Sequence, residues 1–198
     1  MSHRILAPLH HSSLSFSDSL IAQIWSVKKK QQKEASVPKA TKSSPARIRI
    51  QKDVSELEEY STMKTVGLEE DPQNFTLEIS PDEGMYKGGT FKFRFKIPDA
   101  YPHEPPAVNC MQRIYHPNIN PSGEVCLNIL RPDWKPVLSL SSVFVGLQYL
   151  FLEPNADDPL NKEAAEVLRR NRAQFIQNVN TSMAGGSIDG VGFDDVRV

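Results

Sequence analysis

The sequence predicts an α+β domain whose helices stand apart from an antiparallel sheet. Three observations predict it: an apolar helical period at residues 46–60, strict apolar–polar alternation at 75–79 and 91–97, and helical periods again from residue 143 onward. Ile50, Val54 and Leu57 repeat at helical spacing, with Arg47, Gln51, Lys52 and Glu58 on the opposite, wet face. Phe75, Leu77 and Ile79 alternate with polar residues, as do Phe91, Phe93, Phe95 and Ile97 with Lys92, Arg94 and Lys96. The turn-forming stretch from Asp82 to Gly89 joins them, so two antiparallel strands with one buried face are expected. Ala107 to Met111 reads as a further strand carrying Cys110, and Val66-Gly67-Leu68 as a weaker first one. Pro98, Pro102, Pro105 and Pro106 make 98–106 a rigid connector, because each ring fixes φ and removes a ladder donor.

Between Tyr115 and Pro136 no period is sustained, which predicts a long ordered loop of the kind that carries function. Val143, Leu147 and Leu150 then mark a helix with Ser141 or Ser142 near its start and Glu153-Pro154 at its end. Asn161 caps a second helix over 162–171 with Ala165 and Leu168 inward, and a last helix over about 172–184 runs to Gly185-Gly186. The domain reading is a basic N-terminal extension over 1–45, a core over 46–184 and a C-terminal tail over 185–198.

Charge separates extension from core. Residues 1–52 hold ten Lys/Arg against Asp18 and Glu34, whereas the rest holds thirteen against twenty-two acidic residues. A basic Ser/Lys/Pro leader is usually a solvated tail, and no aromatic residue interleaves Lys28-Lys29-Lys30, so nucleic-acid binding is not expected. No stretch approaches the ~18 consecutive apolar residues of a membrane span. Two cysteines, Cys110 and Cys126, are too few for a disulfide scaffold, and a reducing compartment, cytoplasm or nucleus, is the expectation.

Chemistry concentrates in the long loop. Cys126 reads either as a buried small hydrophobe among Val125, Leu127, Ile129 and Leu130 or as a nucleophile beyond a Pro/Asn/Gly-rich turn. Cys110, inside an alternating strand, reads as core. His116 is either a general base or a locked structural ring. Asn118 either stabilises a turn or donates to an oxyanion, a contact that can be worth ~3 kcal/mol. Asp157 and Asp158 either serve a positive helix end or stand near the thiol, where a carboxylate helps deliver a lysine amine of ordinary pKa ~10.4 in neutral form. Paired metal-ligand spacings are absent from the sequence, and all five histidines lie at or before His116, which argues against a papain-like hydrolase with a downstream base.

The segments Tyr101–Pro106, Tyr115–Ile119 with its His116-Pro117-Asn118 core, Gly123–Leu127, Trp134–Pro136 and Asn155–Leu160 occur in an order and spacing that resembles the ubiquitin-conjugating enzyme family. The resemblance covers about 46–184. It implies an N-terminal helix, a four-stranded antiparallel sheet and C-terminal helices. It also implies that Cys126 accepts a modifier's C-terminal glycine from an activating enzyme and yields it to a lysine. Asn118 would then support the loop and the oxyanion, Asp158 would position the lysine, and His116 and Trp134 would give structural support.

A RING-type ligase would contact the first helix through Arg47, the proline loop through His103, and Pro136-Val137. Pro81–Lys87, Cys126–Arg131, Asp133–Val137, Gly146–Asn155 and Pro159–Leu168 look like the branch that conjugates the Nedd/Rub cullin modifier. That branch carries an N-terminal peptide that docks on a heterodimeric activating enzyme, and Ile24, Trp25 and Val27, within 21–33, are similar to it. In the branch the peptide begins at the initiator methionine, whereas here residues 1–20 precede it. The implied partners are the modifier, the activating enzyme, the ligase and a cullin, with no metal or organic cofactor, no nucleic acid and no membrane. Two alternatives stay open: a ubiquitin carrier, and a non-catalytic module that keeps the fold for binding.

Overall fold

Ser44 begins the first helix by accepting the Arg47 amide on its hydroxyl, and Pro45 at the first helical position has no N–H to leave unsatisfied. The computed structural model describes residues 44–57, 60–131 and 133–197, so Ile24, Trp25, Val27 and Glu58 lie outside the described residues. Helix α1 spans Pro45–Ser55, shorter than the predicted 46–60. Ser55 bonds back to the Lys52 carbonyl at 2.7 Å and Leu57 N donates to Val54 O, a tightening that ends the helix. Its buried face also differs from the apolar stripe: Ala46, Ile50 and the carboxylate of Asp53 are buried, while Val54 and Leu57 are half-buried against the core.

Four strands follow as an antiparallel meander: β1 (Met63–Val66), β2 (Asn74–Ile79), β3 (Phe91–Lys96) and β4 (Ala107–Cys110), paired in sequence order. The first lies earlier than predicted, because Gly67 takes φ +79° and turns the chain there. In register, Leu77 faces Phe93 and Phe93 faces Cys110, so the alternation seen in the sequence places one apolar row on one face.

That row packs on helix α2 (Leu140–Leu152), with Phe91 stacked on Phe151 at 4.3 Å and Phe95 edge-on to Phe144 at 5.2 Å. The N-cap of α2 is Ser139, earlier than the predicted Ser141 or Ser142; Ser142 instead completes a reciprocal capping box. Helices α3 (Lys162–Arg170) and α4 (Arg172–Met183) complete the helical end. In α3 the fully buried residues are Ala164 and Ala165, and Leu168 is half-buried.

Residues 185–197, read from sequence as a tail, fold back on the core. A two-stranded hairpin pairs β5 (Ser187–Ile188) with β6 (Val191–Gly192). Beyond it the buried Val196 donates its amide to Met183 O at 3.0 Å and accepts from Thr90 N at 2.7 Å. Among the described residues no helix is long and apolar enough to cross a membrane.

Candidate active site

The loop between β4 and α2 is held by small, specific contacts rather than by regular structure. Gly123 sits at φ +87° so close to the sheet that a Cβ there would meet the Cys110 carbonyl oxygen at 2.1 Å, and its own carbonyl accepts the Cys110 amide at 2.8 Å. From that anchor the chain runs to Cys126, whose amide donates to Asn118 O at 2.8 Å. A 3₁₀ turn at Asn128–Leu130 follows.

His116 is fully buried, stacked on Tyr86 at 5.1 Å and edge-on to Phe151. Its Nδ1 accepts the Asn118 amide at 2.9 Å and its Nε2 lies 2.9 Å from Leu150 O, so the ring carries its proton on Nε2. Burial lowers its pKa to about 4, which keeps it neutral. With both nitrogens engaged and no path to solvent, the imidazole locks the loop to α2 and is unavailable as a base.

Asn118, 2% exposed, spends its whole side chain on the segment before α3. Nδ2 donates to Asn155 O at 2.8 Å and to Asp158 O at 3.3 Å, and Oδ1 accepts Asn155 N at 2.9 Å. Pro117 O accepts both Leu160 N and Asn161 N at 2.9 Å. The His-Pro-Asn triplet is therefore a clamp on 155–161, and both hydrogens of the Asn118 amide are committed in this state. Asn161, not either aspartate, caps α3 by accepting Ala164 N, which leaves exposed Asp158 free for the thiol.

Cys126 Sγ donates to Asp158 Oδ2 at 3.2 Å. Burial pushes the thiol pKa up, and the acceptor bond and negative charge of Asp158 push the same way, opposed by the Arg131 cation. Cys110 and Cys126 are both nearly covered, 6% and 5% exposed, but Cys110 is held inside β4, bonded to Gln112 O at 3.3 Å, and burial raises it to about 11. Cys126 opens instead onto a shallow groove of about 220 Å³ whose walls include Leu127, Ile129, Tyr149, Glu153 and Asn155. Tyr149 and Glu153 were not legible in the sequence, since an exposed residue on a helix with a strong apolar period carries no signal of what it borders. Among the described residues no group of three or more His, Cys, Asp or Glu is placed to hold a metal ion.

Trp134 donates its indole N–H to Pro102 O at 2.8 Å and tilts against Tyr101, tying the proline loop to the segment after the 3₁₀ turn. Arg47, His103, Pro136 and Val137 are all exposed, Val137 to 82%. Sequence reasoning missed what lies beneath them: the pair Arg49 and Asp53, hidden within a helix pattern that reads as solvated charge.

A chain with one groove-facing thiol, a carboxylate on that thiol and a buried clamp setting the distance between them can carry an acyl group and pass it to an amine. Comparison with known proteins identifies which chemistry of this kind is at hand. The profile of the ubiquitin-conjugating enzyme family matches residues 49–183. The NEDD8-conjugating enzyme UBC12 of Yarrowia lipolytica is 56% identical over 177 residues, covering 89% of this chain and 98% of that one. The corresponding protein of Schizosaccharomyces pombe is 57% identical over 176 residues, covering 88% and 98%. The solved structure of S. cerevisiae Ubc12 superposes with a TM-score of 0.74 at 40% identity, covering 89% of this chain and 98% of that one. With most of its length matched in sequence and in fold, this chain belongs to the ubiquitin-conjugating enzyme family, transferases that act through a cysteine thioester.

Proposed function

We propose that this protein carries a ubiquitin-like modifier of the NEDD8 type as a thioester on Cys126 and transfers it to lysine residues of cullins, assisted by a RING-type ligase. The observation that carries the reading is the pairing of a groove-facing thiol with Asp158 at 3.2 Å in a chain 56% identical to a NEDD8-conjugating enzyme.

In the loading step the Cys126 thiolate attacks the thioester carbonyl held by the activating enzyme; the new Sγ–C bond forms and the enzyme's thiolate leaves. In the second step the lysine amine attacks the same carbonyl carbon, the Cys126 thiolate departs, and the amine proton passes toward the Asp158 carboxylate. The developing oxyanion needs a donor, and Asn118 can supply one by releasing its 3.3 Å bond to Asp158 O. No metal or organic cofactor takes part in either step. The exposed Arg47, His103, Pro136 and Val137 form the ligase face, and Ile24, Trp25 and Val27 dock on the activating enzyme. Cytoplasm and nucleus are the proposed compartments.

The test is a non-reducing gel after incubation with modifier, activating enzyme and ATP, run in parallel for the NEDD8 and ubiquitin systems. A reductant-sensitive adduct is expected with the NEDD8 pair; the Cys126→Ser variant should trap it as an oxyester that resists reductant, and Cys110→Ser should charge normally. Charging by the ubiquitin pair alone would make the protein a ubiquitin carrier, and loss of charging in Cys110→Ser alone would overturn the assignment of the thiol.

A further inference from the structure

We propose that Arg49 and Asp53 are positioning residues that shape the ligase-docking face, an inference that rests on the ligase reading given above. Neither touches the thiol. Asp53 is 2% exposed in α1, and its Oδ1 accepts Arg49 Nε at 2.8 Å. Its Oδ2 accepts the Tyr101 hydroxyl and, at 3.3 Å, the amide of Leu140, the first residue of α2. The remaining guanidinium nitrogens of Arg49 donate to Pro136 O and Leu138 O, each at 2.6 Å. One ion pair thus fastens α1, the proline loop, residues 136–138 and the start of α2.

These are the segments on which Arg47, His103 and Pro136-Val137 are displayed, and no helix or sheet hydrogen bond joins them to one another. Their relative placement falls to side chains: the Arg49–Asp53 pair, the Trp134 bond to Pro102 O, and the Arg49 guanidinium 5.7 Å from the Tyr101 ring. Pro136 O and Leu138 O both turn inward to the guanidinium, and Val137 between them projects 82% exposed. That outward valine is a consequence of the two flanking bonds, and it gives an apolar partner surface something to seat.

An ion pair whose carboxylate is buried, with Asp53 2% and Arg49 22% exposed, is weak evidence for stability, because its desolvation cost offsets much of its attraction. What it supplies is fixed geometry. A planar guanidinium with five donors can satisfy one carboxylate and two carbonyls together; a lysine ammonium, a single point of charge, cannot span them.

The experiment uses the full-length protein charged on Cys126 and follows discharge onto free lysine against the concentration of a recombinant RING-type ligase subunit. For Arg49→Gln the ligase KM is expected to rise about tenfold, the equivalent of one charge-assisted hydrogen bond, with the rate at saturating ligase held within about twofold. Arg49→Lys should move the same way. Tyr101→Phe keeps the ring and removes one donor, so it should raise KM about threefold, and it decides the matter if Arg49→Gln fails to fold. Val137→Asp serves as the control on the surface itself. If Val137→Asp raises KM while the Arg49 and Tyr101 variants do not, the positioning proposal is overturned and the ligase reading stands. If Val137→Asp also leaves KM unchanged, the ligase face lies elsewhere and both fall. Equal losses in KM and saturating rate would reduce Arg49 to a general structural residue and overturn the proposal as well.

Discussion

Replacing Asn118 by Ala tests whether the clamp, rather than a lone oxyanion contact, is what the His-Pro-Asn triplet provides. The variant deletes two short hydrogen bonds, 2.8 Å to Asn155 O and 2.9 Å from Asn155 N, and one longer bond of 3.3 Å to Asp158 O. The side chain is 2% exposed, so water does not replace these partners at once. At about 1 kcal/mol for each good bond and less for the long one, the loss should be about 2–3 kcal/mol. For a domain of this size that lowers the melting temperature by about 5–10 °C. Hydrogen exchange should localise the damage: the Asn155, Leu160 and Asn161 amides, all held by Pro117 or Asn118, should lose protection while those of β2 and β3 keep theirs. Discharge onto lysine should also slow, because Asp158 loses its fixed distance to Cys126. A variant that discharges slowly but melts and exchanges like the parent would refute the clamp and assign Asn118 to the reacting oxygen alone.

Three further outcomes are expected. Burial lowers His116 to about 4 from an ordinary 6.5, so protonation favours the unfolded chain; its stabilising effect is whole above about pH 6.5 and is lost as pH falls toward 4, a change of about 3 kcal/mol. Urea unfolding across that window, with an NMR titration of the ring, checks this, and a folded-state ring titrating near 6.5 contradicts it. Removing residues 1–34 should slow loading by the activating enzyme without shifting core melting; unchanged loading kinetics would remove Ile24, Trp25 and Val27 from the docking role. Asp158→Asn should raise the alkylation rate of Cys126, since two causes of its high thiol pKa disappear, yet slow discharge onto lysine by about a hundredfold. Changes of the same sign in both assays would mean that the carboxylate does not assist the amine.

What the sequence made legible follows from periodicity and punctuation. Strands β2 and β3 alternate strictly over their length and stood out at once, because half-buried strands write their burial directly into the residue order. The helix α1 boundary was misjudged since its end is set by a serine bonding back to a carbonyl, not by any change in apolar period. Asp53 was unreadable for a related reason: on a helix with Arg47, Gln51 and Lys52 nearby a carboxylate looks solvated, and its burial depends on Tyr101 and Leu140, 48 and 87 residues away. Cys126 and Asp158, 32 residues apart, could be joined through the family resemblance, but what holds them at bonding distance, Asn118 reaching Asn155 and Asp158, emerges only in three dimensions. In the C-terminal segment Ile188, Val191, Phe193 and Val196 follow no strand or helix period and stand among glycines and aspartates, so nothing in the residue order announces that Val196 is core.

The raised thiol pKa looks at first like a defect in a nucleophile, and weighing both halves of the cycle resolves it. A thiol with elevated pKa offers less thiolate for attack, but the same property makes it a poorer leaving group, and exchange rates depend on both. A carrier must hold its acyl group through the search for a substrate, so resistance to water matters in that interval. Loading can tolerate a scarce thiolate because the activating enzyme delivers its thioester at close range, where effective concentration compensates. On the proposed mechanism, once the acyl group is on sulfur the Sγ–H donor to Asp158 is gone, and Oδ2, 3.2 Å from Sγ in the free state, becomes available to an incoming amine. In that proposal the bond that restrains the empty thiol frees its acceptor on loading, at the moment an acceptor for the lysine proton is needed.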